Sequence, residues 1–265
     1  MTHLTLQGAL ILFPLLFLAA FLDSAAGGGA LISLPAYMLA GFPPHVCSAT
    51  NKVSAGISAL FSTARYVKNG KVVWRPVAFA CVGALLGSAG GAKVALLLDE
   101  SLLLTIMLIS LPIVGTLLIA SQFRKPKEQT QTEQTQTEQK LPDSKVPPVS
   151  LAVGLAVGFY DGFFGPGAGT FLIFAFNGLL GMELISAAGS ARTVNFASNV
   201  ASVITYAMGG KVLWMVGLPA AIFSTAGGQL GTYFAMKKGA TFIRPLMIVV
   251  VVCLISKVAF DFFAH

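Results

Sequence analysis

Asp23-Ser24-Ala25-Ala26-Gly27-Gly28-Gly29-Ala30 interrupts one apolar run of this chain, and Asp161-Gly162-Phe163-Phe164-Gly165-Pro166-Gly167-Ala168-Gly169 interrupts another. Hydrocarbon penalises both a buried charge and backbone groups freed from a helix, so an aspartate beside a glycine-rich turn should be rare at membrane depth. Its recurrence marks these two turns as the centre of the fold and of the function.

The two copies align, Asp23 with Asp161, Gly27 with Gly165, Gly29 with Gly167 and Ala30 with Ala168. After two extra residues in the second copy the match resumes: Lys52 with Arg192, Ser58 with Ser198, Ser62 with Ser202, Tyr66 with Tyr206, Lys71 with Lys211, Trp74 with Trp214, Gly87 with Gly227 and Gly91 with Gly231. A repeat this long divides the chain into two related halves, unlike the short units of a solenoid.

Of the 265 residues, 55% are apolar and only 10% charged, about half the charge of an ordinary soluble domain. Unbroken apolar runs without in/out alternation exclude a β-barrel and indicate a polytopic helical membrane protein. The net charge of +7 sits in short loops, so it reports membrane topology rather than nucleic-acid binding. Cys47, Cys81 and Cys253 are scattered and odd in number, which gives neither a disulfide framework nor a metal spacing. No cofactor or metal is expected. The stretch from Leu10 to Ala26 could pass for a signal peptide, but no Lys or Arg precedes it and cleavage would remove a repeated motif, so the N-terminus is read as mature.

Residues 6–22 and 29–40 flank the first turn, and the second of these is too short to cross a hydrocarbon core of about 30 Å. A broken or re-entrant hairpin follows, then helices of about 46–67, 74–97 and 101–122, the last kinked at Pro112. A Gln/Thr/Glu-rich stretch cannot bury a core, and residues 124–148 read as a flexible cytoplasmic linker between repeats of residues 1–123 and 149–265. The second half repeats the pattern with arms at 149–163 and 167–180 and helices near 184–208, 213–236 and 242–262.

Charge bias swaps between the halves. The loop around Arg65, Lys68, Lys71 and Arg75 is basic while its counterpart holds Lys211 alone; the loop with Lys93, Asp99 and Glu100 is neutral while its counterpart holds Lys237, Lys238 and Arg244. Halves inserted in opposite orientation, related by an axis in the membrane plane, produce this signature. The expected fold is all-α and polytopic: two inverted-topology repeats, each with a Gly-rich hairpin and three transmembrane helices, eight to ten segments in total.

Four charged groups fall at membrane depth: Asp23, Lys52, Asp161 and Arg192. Each costs roughly 2.5–3.5 kcal/mol or more at the centre of an isolated helix, so each should face protein or water. Half-helix N-termini near Gly28 and Gly29, and near Gly167 and Ala168, add free N–H groups and positive dipole ends. Together with Lys52 and Arg192 they make an anion site, with Asn51, Asn195 and Asn199 on the same helical faces. Asp23 and Asp161 either take up and release protons to couple transport, or balance the cations and cap the half-helices. The glycines at 87, 91, 227 and 231 have small-xxx-small spacing and should permit close helix packing.

His3, His45 and His265 lie near segment ends with no buried nucleophile beside them, and no G-x-x-x-x-G-K-[ST] motif occurs, so neither an enzyme nor an ATP-driven pump is expected. The leading expectation is a secondary transporter of small anions by alternating access. An anion channel with the same basic constriction is the alternative.

These motifs, with Ala49-Thr50-Asn51-Lys52, Gly158-Phe159-Tyr160 and Gly209-Gly210-Lys211-Val212-Leu213-Trp214, resemble the TauE/SafE (sulfite exporter, TSUP) family of membrane permeases, and its bacterial YfcA-like branch in particular. The resemblance covers nearly the whole chain apart from the Gln/Thr linker. It implies a multi-pass carrier of the bacterial inner membrane for sulfite, sulfoacetate or other organosulfonates. Protons as coupling ion and a homodimer are left open.

Overall fold

The computed structural model describes residues 4–107, 109 and 141–238, and these are helical with short connections and no strand. In chain order the helices are α1 Leu6–Ala26, α2 Ala30–Leu39, α3 Pro44–Lys68, α4 Trp74–Leu97, α5 (residues 100–107), α6 Val146–Phe163, α7 Ala168–Gly178, α8 Leu184–Met208 and α9 Trp214–Lys238. The expected Pro112 kink, the 242–262 helix, Cys253, Arg244, His3, His265 and most of the linker lie outside the described residues.

Among the described residues three helices are long and apolar enough to cross a membrane: α1, α4 and α6. At 1.5 Å per residue α3, α8 and α9, of 25 residues each, are also about 37 Å long. They have lower hydropathy because their inner faces carry serine, threonine, asparagine and charge. The polarity of the molecule is reversed relative to a soluble protein. Met215 is 90% exposed and Leu6 79%, whereas Lys52 is 5% exposed and Arg192 4%. An apolar exterior around a polar interior is what lipid selects.

Each half opens with a long helix followed by a short one. α2 has 10 residues and α7 has 11, about 15 and 17 Å, half the thickness of the hydrocarbon core. Asp23 and Asp161, expected at the turns themselves, lie in the last turns of α1 and α6, because both helices run on for two or three residues beyond the aspartate. Gly27 (φ 76°) and Gly165 (φ 98°) then take the left-handed conformation that ends the helix, as a residue with a side chain would do only under strain. The two turns touch. A Cβ on Gly27 would lie 2.3 Å from the Thr170 amide nitrogen, and the Thr170 hydroxyl donates to the Ala26 carbonyl at 2.8 Å.

α6 begins at Val146, earlier than the linker boundary suggests, since Pro147 and Pro148 fit the first helical turn where no N–H is needed. α3 likewise starts on Pro44.

Packing exchanges partners between the halves. α4 packs on α6, and its counterpart α9 packs on α1; α3 packs on α9 and α8 on α4; α3 and α8 meet at the centre. Glycines make the close approaches. A Cβ on Gly91 would lie 2.0 Å from the Phe159 carbonyl oxygen, and one on Gly231 2.0 Å from that of Phe21. Gly87 and Gly227 sit as tightly, against Leu155 and Phe17. Counterparts α3 and α8 run antiparallel, tied at both ends by matching bonds: the Val73 N–H donates to Ser190 Oγ at 3.1 Å, and the Leu213 N–H donates to Thr50 Oγ1 at 3.2 Å. Inside each half, Tyr66 donates to the Ser24 carbonyl at 2.9 Å and Tyr206 to the Gly162 carbonyl at 3.0 Å, which anchors each aspartate-bearing helix end.

Candidate functional site

Lys52 and Arg192 occupy counterpart positions a third of the way along α3 and α8. Eight residues into an antiparallel pair, each stands about 12 Å from the end where its own helix begins. Both point inward because only the interior offers partners for a charge, and each finds its partner in the other half. Lys52 Nζ donates to Asp161 Oδ1 at 2.8 Å. Arg192 Nη1 donates to Asp23 Oδ2. The two ion pairs therefore link α3 of the first half to α6 of the second, and α8 of the second to α1 of the first.

The carboxylates have further donors. Asp161 Oδ2 accepts from the Ser198 hydroxyl and from Asn195 Nδ2 at 3.5 Å. Asp23 Oδ1 accepts from the Gly29 N–H at 3.1 Å, so the N-terminus of α2 is capped by the aspartate that precedes it. Arg192 Nη2 reaches Ser58 Oγ at 3.4 Å, while Asn199 Nδ2 donates to the Asn195 carbonyl and side-chain oxygens at 2.8 and 3.0 Å. Arg192 Nε is buried and has no hydrogen-bond partner among the described residues. A buried guanidinium N–H ordinarily donates to an acceptor, and a small anion has the oxygen atoms to serve as one.

Both ion pairs line one central cavity of about 40 Å³. At roughly 10–15 Å³ per water this is room for about three waters, or for one small oxyanion in their place. Asn51, Asn195, Asn199 and Gly29 line it too, with Asp23 and Asp161. Gly28, Gly167 and Ala168 do not: Gly28 and Gly167 are taken up by the turn geometry, and the Ala168 N–H is spent on the Gly165 carbonyl at 3.1 Å. In the second turn it is Gly165 and Gly169 that reach the cavity. Ser33, Ser54, Ser58 and Ser224 complete its polar wall. Of these, Ser58 was visible as the repeat partner of Ser198. Ser33 stands one helical turn beyond Gly29, a spacing that could have identified it.

Among the described residues no cluster of three His, Cys, Asp or Glu side chains could hold a metal ion. His45 is buried at the start of α3, its Nε2 3.0 Å from the Ala95 carbonyl oxygen, and takes no part in the cavity.

The family profile described as "Sulfite exporter TauE/SafE" matches residues 12–258. A probable membrane transporter protein of Haemophilus influenzae is 33% identical over 251 residues, covering 95% of this chain and 94% of the relative. The probable membrane transporter protein YfcA of Escherichia coli is 31% identical over 252 residues, 95% of this chain and 89% of the relative. The probable membrane transporter protein ORF9 of a Sinorhizobium species is 32% identical over 251 residues, 94% and 92% of the two chains. No solved structure matches the chain.

Proposed function

The chain belongs to the TauE/SafE sulfite exporter family of membrane transporters, and from that premise we propose that it carries small anions, sulfur oxyanions such as sulfite, sulfoacetate or other organosulfonates, by alternating access around the central cavity. One observation carries this reading: a lysine and an arginine from different halves share a single buried cavity, each held by a carboxylate of the opposite half.

The charge balance explains the mechanism. Without substrate the four groups sum to zero, which is how they stand being out of water. An incoming anion adds negative charge and competes with a carboxylate for its cation. That competition loosens a link between the halves, and binding is thereby tied to movement.

The antiparallel run of α3 and α8 and the exchange of helix partners support inverted repeats, whose halves rock against each other about an axis in the membrane plane. Arg65, Lys68, Lys71, Lys237 and Lys238 gather where α3 and α9 end, and the positive-inside rule puts that end in the cytoplasm of a bacterial inner membrane. The same reading leaves no part for this chain as an enzyme.

Flux into proteoliposomes tests the reading. The purified protein should move sulfite or an organosulfonate with saturable kinetics, and Arg192→Gln and Lys52→Gln should each reduce that flux by on the order of a hundredfold, the cost of an unpaired buried charge. Rapid non-saturating conductance would indicate a channel, and unchanged flux in either variant would overturn the site.

A further inference from the structure

Arg192–Asp23 and Lys52–Asp161 stand at opposite ends of the cavity. Arg192 lies near the end where α8 begins and α3 and α9 finish, the basic end of the molecule; Lys52 lies near the other. Beyond Arg192–Asp23 two further cavities lie in a row. A neck of about 10 Å³, room for about one water, shares Asp23, Gly169, Arg192 and Asn195 with the cavity. The neck in turn shares Ile173 and Ala188 with an outer cavity of about 60 Å³. That outer cavity lies among Leu184 and Ile185 of the first turn of α8, Tyr66 near the end of α3 and Ala235 near the end of α9, and so leads toward the basic end.

We propose that the two ion pairs are the two gates of the transport path: Arg192–Asp23 closes the cavity toward the basic face, and Lys52–Asp161 closes it toward the opposite face. This goes beyond the anion site and rests on the transport reading, since it assigns each counterpart pair to one side of the membrane.

Three observations support it. Each pair joins one half to the other, so parting a pair frees the halves locally while the remaining pair still holds them. Gly27, Gly169, Ala188 and Ala191 wall part of the neck and have no side chain able to swing aside; Ser24, Ile173 and Asn195 complete it with the Arg192–Asp23 pair, the one charged bond that spans it from half to half. Arg192 Nε is unpartnered, so an anion can take the guanidinium over from Asp23 without first breaking another bond at that atom. An anion in the cavity then competes for whichever cation its gate releases, and the opposite gate stays shut.

Cysteine accessibility in oriented membrane vesicles tests the assignment. Cys47, Cys81 and Cys253 are replaced by alanine, and Ala55→Cys, which lines the cavity but not the neck, serves as the central probe. A membrane-impermeant thiol reagent is applied to either face. Asp23→Asn should speed labelling from the basic face on the order of tenfold and leave labelling from the opposite face unchanged; Asp161→Asn should do the reverse. Lys52→Gln is the second way to part the Asp161 gate should Asp161→Asn fail to fold. Ala188→Leu, which fills the neck, should abolish labelling from the basic face alone.

Acceleration from both faces, from the wrong face, or from neither in folded variants would overturn the gates. The labelling needs no substrate, so side-specific acceleration in a protein that carries no anion would uphold the gates while the anion reading fell.

Discussion

Lys52–Asp161 and Arg192–Asp23 are counterparts, yet they are held differently. Asp161 collects Lys52, Ser198 and Asn195, and its side chain is 6% exposed; Asp23 collects Arg192 and a backbone N–H, and its side chain is 18% exposed. On the cation side the order reverses. Lysine is a compact point charge that Asp161 saturates, whereas the arginine fork reaches Ser58 as well and keeps Nε in reserve. The turns differ too: Pro166 stands where the first turn has Gly28, and Asp23 accepts from the Gly29 N–H of its own turn whereas Asp161 accepts from side chains of α3 and α8. Four charges thus stand at corresponding points of the two halves, and small differences around them make one pair tight and the other adaptable.

That contrast can be broken by mutation, beginning with the charges. Lys52→Ala leaves Asp161 buried among two neutral donors and should cost about 3–5 kcal/mol of stability. Arg192→Ala should cost less, because Asp23 keeps the Gly29 N–H and some contact with solvent. Adding Asp161→Asn to Lys52→Ala should recover most of the loss. Thermal unfolding in detergent measures all three, and equal costs at the two cations would erase the distinction between the pairs.

The next largest effect belongs to packing, where the halves should behave alike. Gly91→Ala and Gly227→Ala each drive a methyl group to 2.0 Å from a carbonyl oxygen, of Phe159 and Phe17 respectively. Each should destabilise by about 1–3 kcal/mol or more. Gly90→Ala, whose Cβ would meet nothing nearer than 3.7 Å, should stay within about 0.5 kcal/mol. A tolerant Gly227 would show that α9 and α1 are less tightly joined than α4 and α6.

Smallest are the tyrosine anchors. Tyr66→Phe and Tyr206→Phe each remove one hydrogen bond to the end of an aspartate-bearing helix and should cost about 1 kcal/mol apiece. If Asp23 is the adaptable partner, Tyr66→Phe should alter anion flux more than Tyr206→Phe does, which proteoliposome assays would resolve.

Much of the frame was legible because hydrophobicity and punctuation specify it. Tryptophan and a basic loop mark the start of α4, and the expected 74–97 is what forms; the expected 184–208 of α8 holds equally well. The short second arms followed from length alone. What could not be read was which charge meets which. Lys52 and Asp161 are 109 residues apart in sequence and Arg192 and Asp23 169, and nothing local tells a lysine whether its carboxylate lies in its own half or the other. Of the three glycines that line the cavity Gly29 alone was expected there, because Gly165 reads as the end of a helix and Gly169 reaches the cavity from within α7. Ser33, Ser54 and Ser224 escaped for a plainer reason: a lone serine in a membrane helix usually signals packing.

The most direct test of a single anion site shared by both cations is the shift in melting temperature of the purified protein with rising sulfite, since a ligand that binds only the folded state stabilises it in proportion to the logarithm of its concentration. The native protein should show this shift, and Arg192→Gln and Lys52→Gln, each still folded, should both lose it. A shift that survives in either variant, or one produced equally by chloride, would contradict a site built from the two halves together.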